Sequence, residues 1–258
     1  MSHARSRRSI SRRHVAIAAV LCAAIAPWPG RAAPPAPAPA PAPAAAASTP
    51  RAAEAAPLPP SDRARLDRAV IDHASGRLDA ARAAFEALAA RGVPAALFNL
   101  GVMHLDGQMP QPSVREAQRL LEQAARGGFV TAMVALGEGH ENARFDGPRD
   151  LVLSHRWYEA AAVAGSPQAQ LAAGTAYYLG RGAPRDYAQA ARWFREAARS
   201  GDIGAMYLLA SLYEAGDGVA RDLRLARYWY ALAAAGGDEA APGKVREIDA
   251  RLRREGGG

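Results

Sequence analysis

From about residue 62 onward, apolar residues recur at helical spacing in short runs, each closed by glycine, proline or aspartate. Leu97, Leu100, Gly101 and His104 share one helical face, and Ala117, Leu120, Leu121 and Ala124 share a second one shortly after. This two-helix pattern returns three times. The later first halves carry Leu136-Gly137-Glu138-Gly139-His140, Ala173-Gly174-Thr175-Ala176-Tyr177 and Leu209-Ala210-Ser211-Leu212-Tyr213. Leu120, Trp157, Trp193 and Trp229 occupy one register with spacings of 37, 36 and 36, and the extra residue falls between Asn142 and Pro148. Stepping back 36 from Leu120 reaches Ala84, with Phe85 next and Gly92 eight residues on, so a degenerate leading copy covers 62–92. A period of this length marks a solenoid, because one helix pair cannot bury its apolar face and must stack on neighbours.

The punctuation agrees. Ser113, Asp150, Asp186 and Asp222 sit seven residues before the tryptophan register, as N-caps of second helices. Ser166-Pro167 supplies a cap and a proline in the first turn of a first helix. Gly128, Gly165, Gly201 and Gly237 suit a left-handed exit from the second helices. The expected units are 62–92, 93–129, 130–166, 167–202 and 203–238, forming a repeat domain over 62–240. Small residues such as Gly101, Gly137 and Gly174 let helices approach, and Trp157, Trp193 and Trp229 are expected to fill the wedges between successive pairs. Val245, Ile248 and Leu252 make an apolar stripe on a last helix within 241–258, read as a cap.

The L-G-x-x-Y of the first helices and the A-x-x-x-[FY] of the second resemble the tetratricopeptide pattern. The longer period, the turns Gly180-x-Gly182 and Gly216-x-Gly218, and the W-[YF]-x-x-A-A-x-x-G endings resemble the Sel-one-like subfamily over about 62–240. Two copies depart from it: His104 and His140 replace the tyrosine, and the loop at 141–149 lacks the G-x-G turn. The resemblance implies an all-α, right-handed α-solenoid. It also implies a concave groove lined by first helices, with Phe98, Val102, Val134, Glu138, Glu141, Leu171, Thr175, Tyr178, Tyr207, Ser211 and Glu214 facing a ligand. Aromatic anchors beside a few carboxylates suit a peptide or protein partner.

Charge changes the picture only at the N-terminus. The chain carries +7, but Arg5, Arg7, Arg8, Arg12, Arg13 and Arg31 lie within 1–32, which has no acid. Without them the balance is 26 basic to 25 acidic, so no nucleic-acid partner is expected. Residues 1–32 read as a signal peptide: a basic start, the uncharged run Val15–Ala26, and Gly30-Arg31-Ala32 before the cut. Ser11-Arg12-Arg13-His14-Val15 partly resembles a twin-arginine signal. The expected location is periplasmic or secreted, by the general or the twin-arginine route, with no membrane span once the signal is removed. Residues 33–61 are Ala/Pro-rich and read as an extended linker. Cys22 is the only cysteine and falls in the signal, so disulfides play no part afterwards.

Candidate chemistry is sparse. His140-Glu141 opens an H-E-x-x-H zinc motif, but Arg144 stands where the second histidine belongs. Gly243-Lys244 lacks the glycine spacing of a phosphate loop. No nucleophile, base and oxyanion set falls outside the repeat register. The expectation is therefore a non-enzymatic adaptor in the cell envelope with no cofactor and no metal. The alternative is a cell-wall enzyme or carbohydrate-binding accessory. The irregular stretch 138–149 is where a special site would sit.

Overall fold

The computed structural model describes residues 58–255, so the signal segment 1–32 and most of the linker lie outside the described residues. Among the described residues there are eleven α-helices and no strands. They form antiparallel hairpins: α1 (Pro60–Ala74) with α2 (Leu78–Ala89), α3 (Pro94–Leu105) with α4 (Val114–Arg126), and α5 (Val130–Glu141) with α6 (Leu151–Val163). Two more follow, α7 (Pro167–Leu179) with α8 (Tyr187–Arg199) and α9 (Ile203–Ala215) with α10 (Leu223–Ala235), before a single helix, α11 (Ala241–Glu255). Each hairpin packs on the next, which is the all-α repeat solenoid the pattern predicts.

Local chemistry sets where each helix begins and ends. Ser113 Oγ accepts the Glu116 N–H, and Asp150 Oδ1 accepts the Leu153 N–H. Asp186 and Asp222 each accept two amides of the next turn. Ser166 and Asp202 do the same for α7 and α9. Each cap satisfies amides that an α-helix leaves without a partner, contributing about 1 kcal/mol.

The tryptophan register lies between successive hairpins, each ring packed on the hairpin before it, and a second large residue sits deeper. The enclosed side chain is the one after the tryptophan register: Phe85, Leu121, Phe194 and Tyr230 are all fully buried. Leu121, Tyr158 and Phe194 of this register face the glycine of their own hairpin. A Cβ on Gly137 would come within 2.8 Å of the Tyr158 ring, and one on Gly174 within 2.6 Å of Phe194. One residue earlier on a helix points about 100° away. Trp193 accordingly joins Tyr158, Ala161 and Ala162 of the preceding hairpin rather than the following one. It is buried, whereas Trp157 and Trp229 are half-buried.

The loops explain the other departures. Gly182 and Gly218 seat their turns on the start of the preceding hairpin's second helix: a Cβ there would fall 2.0 Å from Leu151 O or 2.2 Å from the Tyr187 carbonyl carbon. The loop after α5 has no such turn. It inserts Phe145 instead, buried against Leu121, Ala124 and Leu136 and in tilted contact with His140 at 5.0 Å. In the first hairpin the connection shrinks to Ser75–Arg77, pinned by Arg77 to Asp72 at 2.6 Å. At the far end, Ile248, Val245 and Leu252 of α11 cover Ala210, Leu223, Ala226 and Tyr230. Arg251 and Lys244 tie α11 to Glu214.

Candidate partner-binding groove

The first helices α3, α5, α7 and α9 carry all the residues expected in the groove, but these residues have different surroundings. Val134 is buried with Tyr158, Ala161 and Ala169 and offers little surface to a partner. Phe98 is half-buried with its ring 5.2 Å from Phe129, and Val102 is half-buried beside it on α3. Tyr178 packs edge-on to Tyr187 at 5.4 Å and against Phe194. Tyr207 packs edge-on to Tyr230 at 5.0 Å. Ser211 donates its hydroxyl to the Leu208 carbonyl, within its own helix.

The acidic residues follow a rule that runs through the repeat. Tyr158 donates its hydroxyl to Glu141 at 3.0 Å, and Tyr230 donates to Glu214 at 3.0 Å. Where the second-helix ring is Phe194, with no hydroxyl, the matching first-helix residue is Tyr178, and where it is Leu121 the match is Leu105. Glu141 and Glu214 thus satisfy a buried phenol that would otherwise lose its hydrogen bond. Burial and the adjacent carboxylate push both phenols well above the usual tyrosine range. Glu214 is further occupied by Arg251 at 2.8 Å. Glu138 accepts from Gln168 of α7 at 2.8 Å.

A second polar register links neighbouring hairpins. Tyr177 donates to Glu159 at 2.9 Å, and Tyr213 accepts from Arg195 at 2.9 Å. Burial and Glu159 raise the Tyr177 phenol to about 12. In the same register His104 accepts the Ser113 N–H through Nδ1 at 3.2 Å, and His140 stacks on Phe145. His155, on α6, is buried with its ring 4.8 Å from Tyr177 and edge-on. Burial holds the imidazoles of His140 and His155 below the ordinary histidine value, so both are neutral near pH 7.

A recess of about 290 Å³ lies between α6 and α7. Its walls are two helical stripes, Leu151, Ser154, His155 and Tyr158 from α6, and Leu171, Ala172, Thr175, Ala176 and Leu179 from α7. Glu141, Gln168 and Arg181 complete the rim. Of the residues expected in the groove, Glu141, Leu171 and Thr175 meet here, while Phe98, Tyr178 and Tyr207 lie elsewhere. Ala172, Ala176 and His155 were not foreseen, although Ala176 breaks the repeat register that has Met103 and Leu212 in other copies. A shallower depression lies over the irregular loop, lined by His140, Asp146, Arg149, Asp150 and Val152. Among the described residues there is no cluster of three or more metal-ligating side chains, and no helix is long and apolar enough to cross a membrane. Most of the acidic groups on this face are engaged in holding hairpins together, and the recess is mainly apolar with a mixed-charge rim, although His155 Nδ1 in its lining has no hydrogen-bond partner among the described residues.

A family model described as Sel1 repeat matches residues 94–129, 130–166, 167–202 and 203–238. Among solved structures, the chain is similar to a Sel1 repeat protein of Oxalobacter formigenes, at 25% identity and TM-score 0.64, covering 70% of this chain and 74% of that one. It is also similar to a protective antigen of uropathogenic Escherichia coli with an SLR fold, at 32% identity and TM-score 0.56. That match covers 62% of this chain but only 34% of the antigen, so the chain spans about a third of that protein's length. No curated protein matches the chain.

Proposed function

Because this chain belongs to the Sel1 repeat family, whose members generally serve as protein-interaction scaffolds, we propose that it is a non-enzymatic adaptor of the cell envelope. In this reading it holds a peptide or protein partner in the groove formed by α3, α5, α7 and α9. The observation that carries the proposal is the division of labour among polar side chains. Glu141, Glu214, Glu159 and Arg195 are bonded to tyrosines of the frame, while Leu171 and Leu179 border a recess that the frame leaves partly open. A face built this way favours docking over bond-making. The envelope location rests on the basic start, the apolar run and Gly30-Arg31-Ala32 in the sequence.

Two measurements test the proposal. Mass spectrometry of the protein from envelope fractions should find an N-terminus near Ala33; an intact Met1 end on protein confined to the cytoplasm would refute export. Cross-linking with the chain as bait should capture a discrete partner, and Leu179→Arg combined with Glu138→Arg should reduce capture at least tenfold while helix content is kept. Capture that is unchanged by the double variant would place binding outside this groove.

A further inference from the structure

Within each interface between hairpins, one position of the first helix faces the second helix of the hairpin before it. Met103 fills that position against Phe85 and Leu88, and Leu212 fills it against Phe194 and Ala197; both are fully buried. The equivalent residue of α5 is Gly139, which has no side chain, and there the space is taken by the ring of Phe145 arriving from the loop. A Cβ on Gly139 would fall 2.1 Å from Phe145 Cε2. In α7 the equivalent is Ala176, one of the walls of the 290 Å³ cavity. No loop residue is inserted here, because the Gly180-x-Gly182 turn seats on Leu151 instead. His155 takes some of the room and turns its ring towards Tyr177, yet the cavity remains.

We infer that the cavity at Ala176 is a receptor for one aromatic side chain of the partner, seated as Phe145 is seated on Gly139 one repeat earlier. This deepens the adaptor reading above and rests on it for the source of the ring. Three observations carry the inference. The same register is filled by a large apolar group in the other three interfaces, namely Met103, the Phe145 ring and Leu212. The one interface in which the first helix does not fill it uses an aromatic ring brought in from outside the helix. The walls are two helical stripes, one from α6 and one from α7, with the small Ala172 and Ala176 one turn apart on α7, which leaves room for a ring between the helices. Leu179, exposed, and Leu171, half-buried, border the entrance and extend the apolar path outward.

The test uses the full chain and side-chain analogues as probes. Toluene and p-cresol represent the rings of phenylalanine and tyrosine, and methylcyclohexane is the aliphatic control. Methyl-labelled leucine signals from Leu171 and Leu179 should shift saturably with both aromatic probes. Ala176→Leu, which copies Leu212, and Ala172→Leu, which copies Leu208, should each fill the recess. Whichever melts within a few degrees of the parent should weaken p-cresol binding at least tenfold. The assignment is overturned if the parent shows no saturable shift, if methylcyclohexane binds as well as toluene, or if a folded filled variant binds p-cresol unchanged. Failure of the adaptor reading looks different. The probes would then bind the parent as expected, supporting the cavity assignment, while cross-linking recovers no partner.

Discussion

Gly139 and Phe145 offer the sharpest test of how the irregular repeat is held together. Phe145 is 6% exposed and sits against the main chain of α5 where a side chain would otherwise be. Phe145→Ala should cost about 3 kcal/mol, the lower end of the usual 3–5 kcal/mol for large aromatic truncations, because a loop can partly collapse into the hole. Gly139→Ala alone brings a methyl to 2.1 Å from Phe145 Cε2, so the ring must leave its seat. Overpacking of this kind costs about 1–3 kcal/mol. The gain of about 1 kcal/mol from replacing a helical glycine by alanine offsets only part of that. In the Phe145→Ala background the clash is gone and only the helix gain remains, so Gly139→Ala should then stabilise by up to about 1 kcal/mol. The sign of one substitution thus reverses with the other, and the coupling should be about 1–3 kcal/mol. Urea unfolding of the four proteins, followed by circular dichroism, measures it. If Gly139→Ala has the same effect in both backgrounds, Phe145 does not occupy that seat, and the recess at Ala176 has no counterpart one repeat earlier.

Other expectations follow from the same geometry. Trp193→Ala should cost about 3–5 kcal/mol, and Trp157→Ala or Trp229→Ala clearly less because both are half-exposed, as thermal melts will show; equal losses would refute the assignment. Tyr158→Phe should cost about 1 kcal/mol by removing the hydroxyl bonded to Glu141, and the loss should shrink when Glu141 is replaced by Leu, since the two act as a pair. His140 and His155 have folded values depressed by burial, so the unfolded chain binds protons first as pH falls. Stability is therefore fully present above the ordinary value of 6.5, and is lost as pH drops from there towards the lower folded values. Denaturant midpoints from pH 7.5 to 5 should fall, and His155→Leu should flatten the profile; an unchanged slope would mean that His155 does not contribute.

Much of this protein is written in its local sequence. The period of 36–37 residues, the caps at Ser113, Asp150, Asp186 and Asp222, and the glycine exits specify helix pairs and their stacking through interactions that reach only a few residues along the chain. Even the Glu141–Tyr158 and Glu214–Tyr230 pairs were within reach, as a carboxylate 16–17 residues before a buried tyrosine that is absent when the ring is Phe194. Direction around the helix was not. Trp193 and Phe194 are both buried but face different hairpins, because one step along a helix turns the side chain about 100°. Tyr178 and Tyr207 looked like free anchors because a one-dimensional register cannot show that Tyr187 and Tyr230 cover part of their rings. The recess at Ala176 exists only as a relation between two hairpins. An alanine leaves a gap when the side chain facing it across the interface, here His155, does not fill the space, and that is decided by the packing of α6 against α7 rather than by any residue alone.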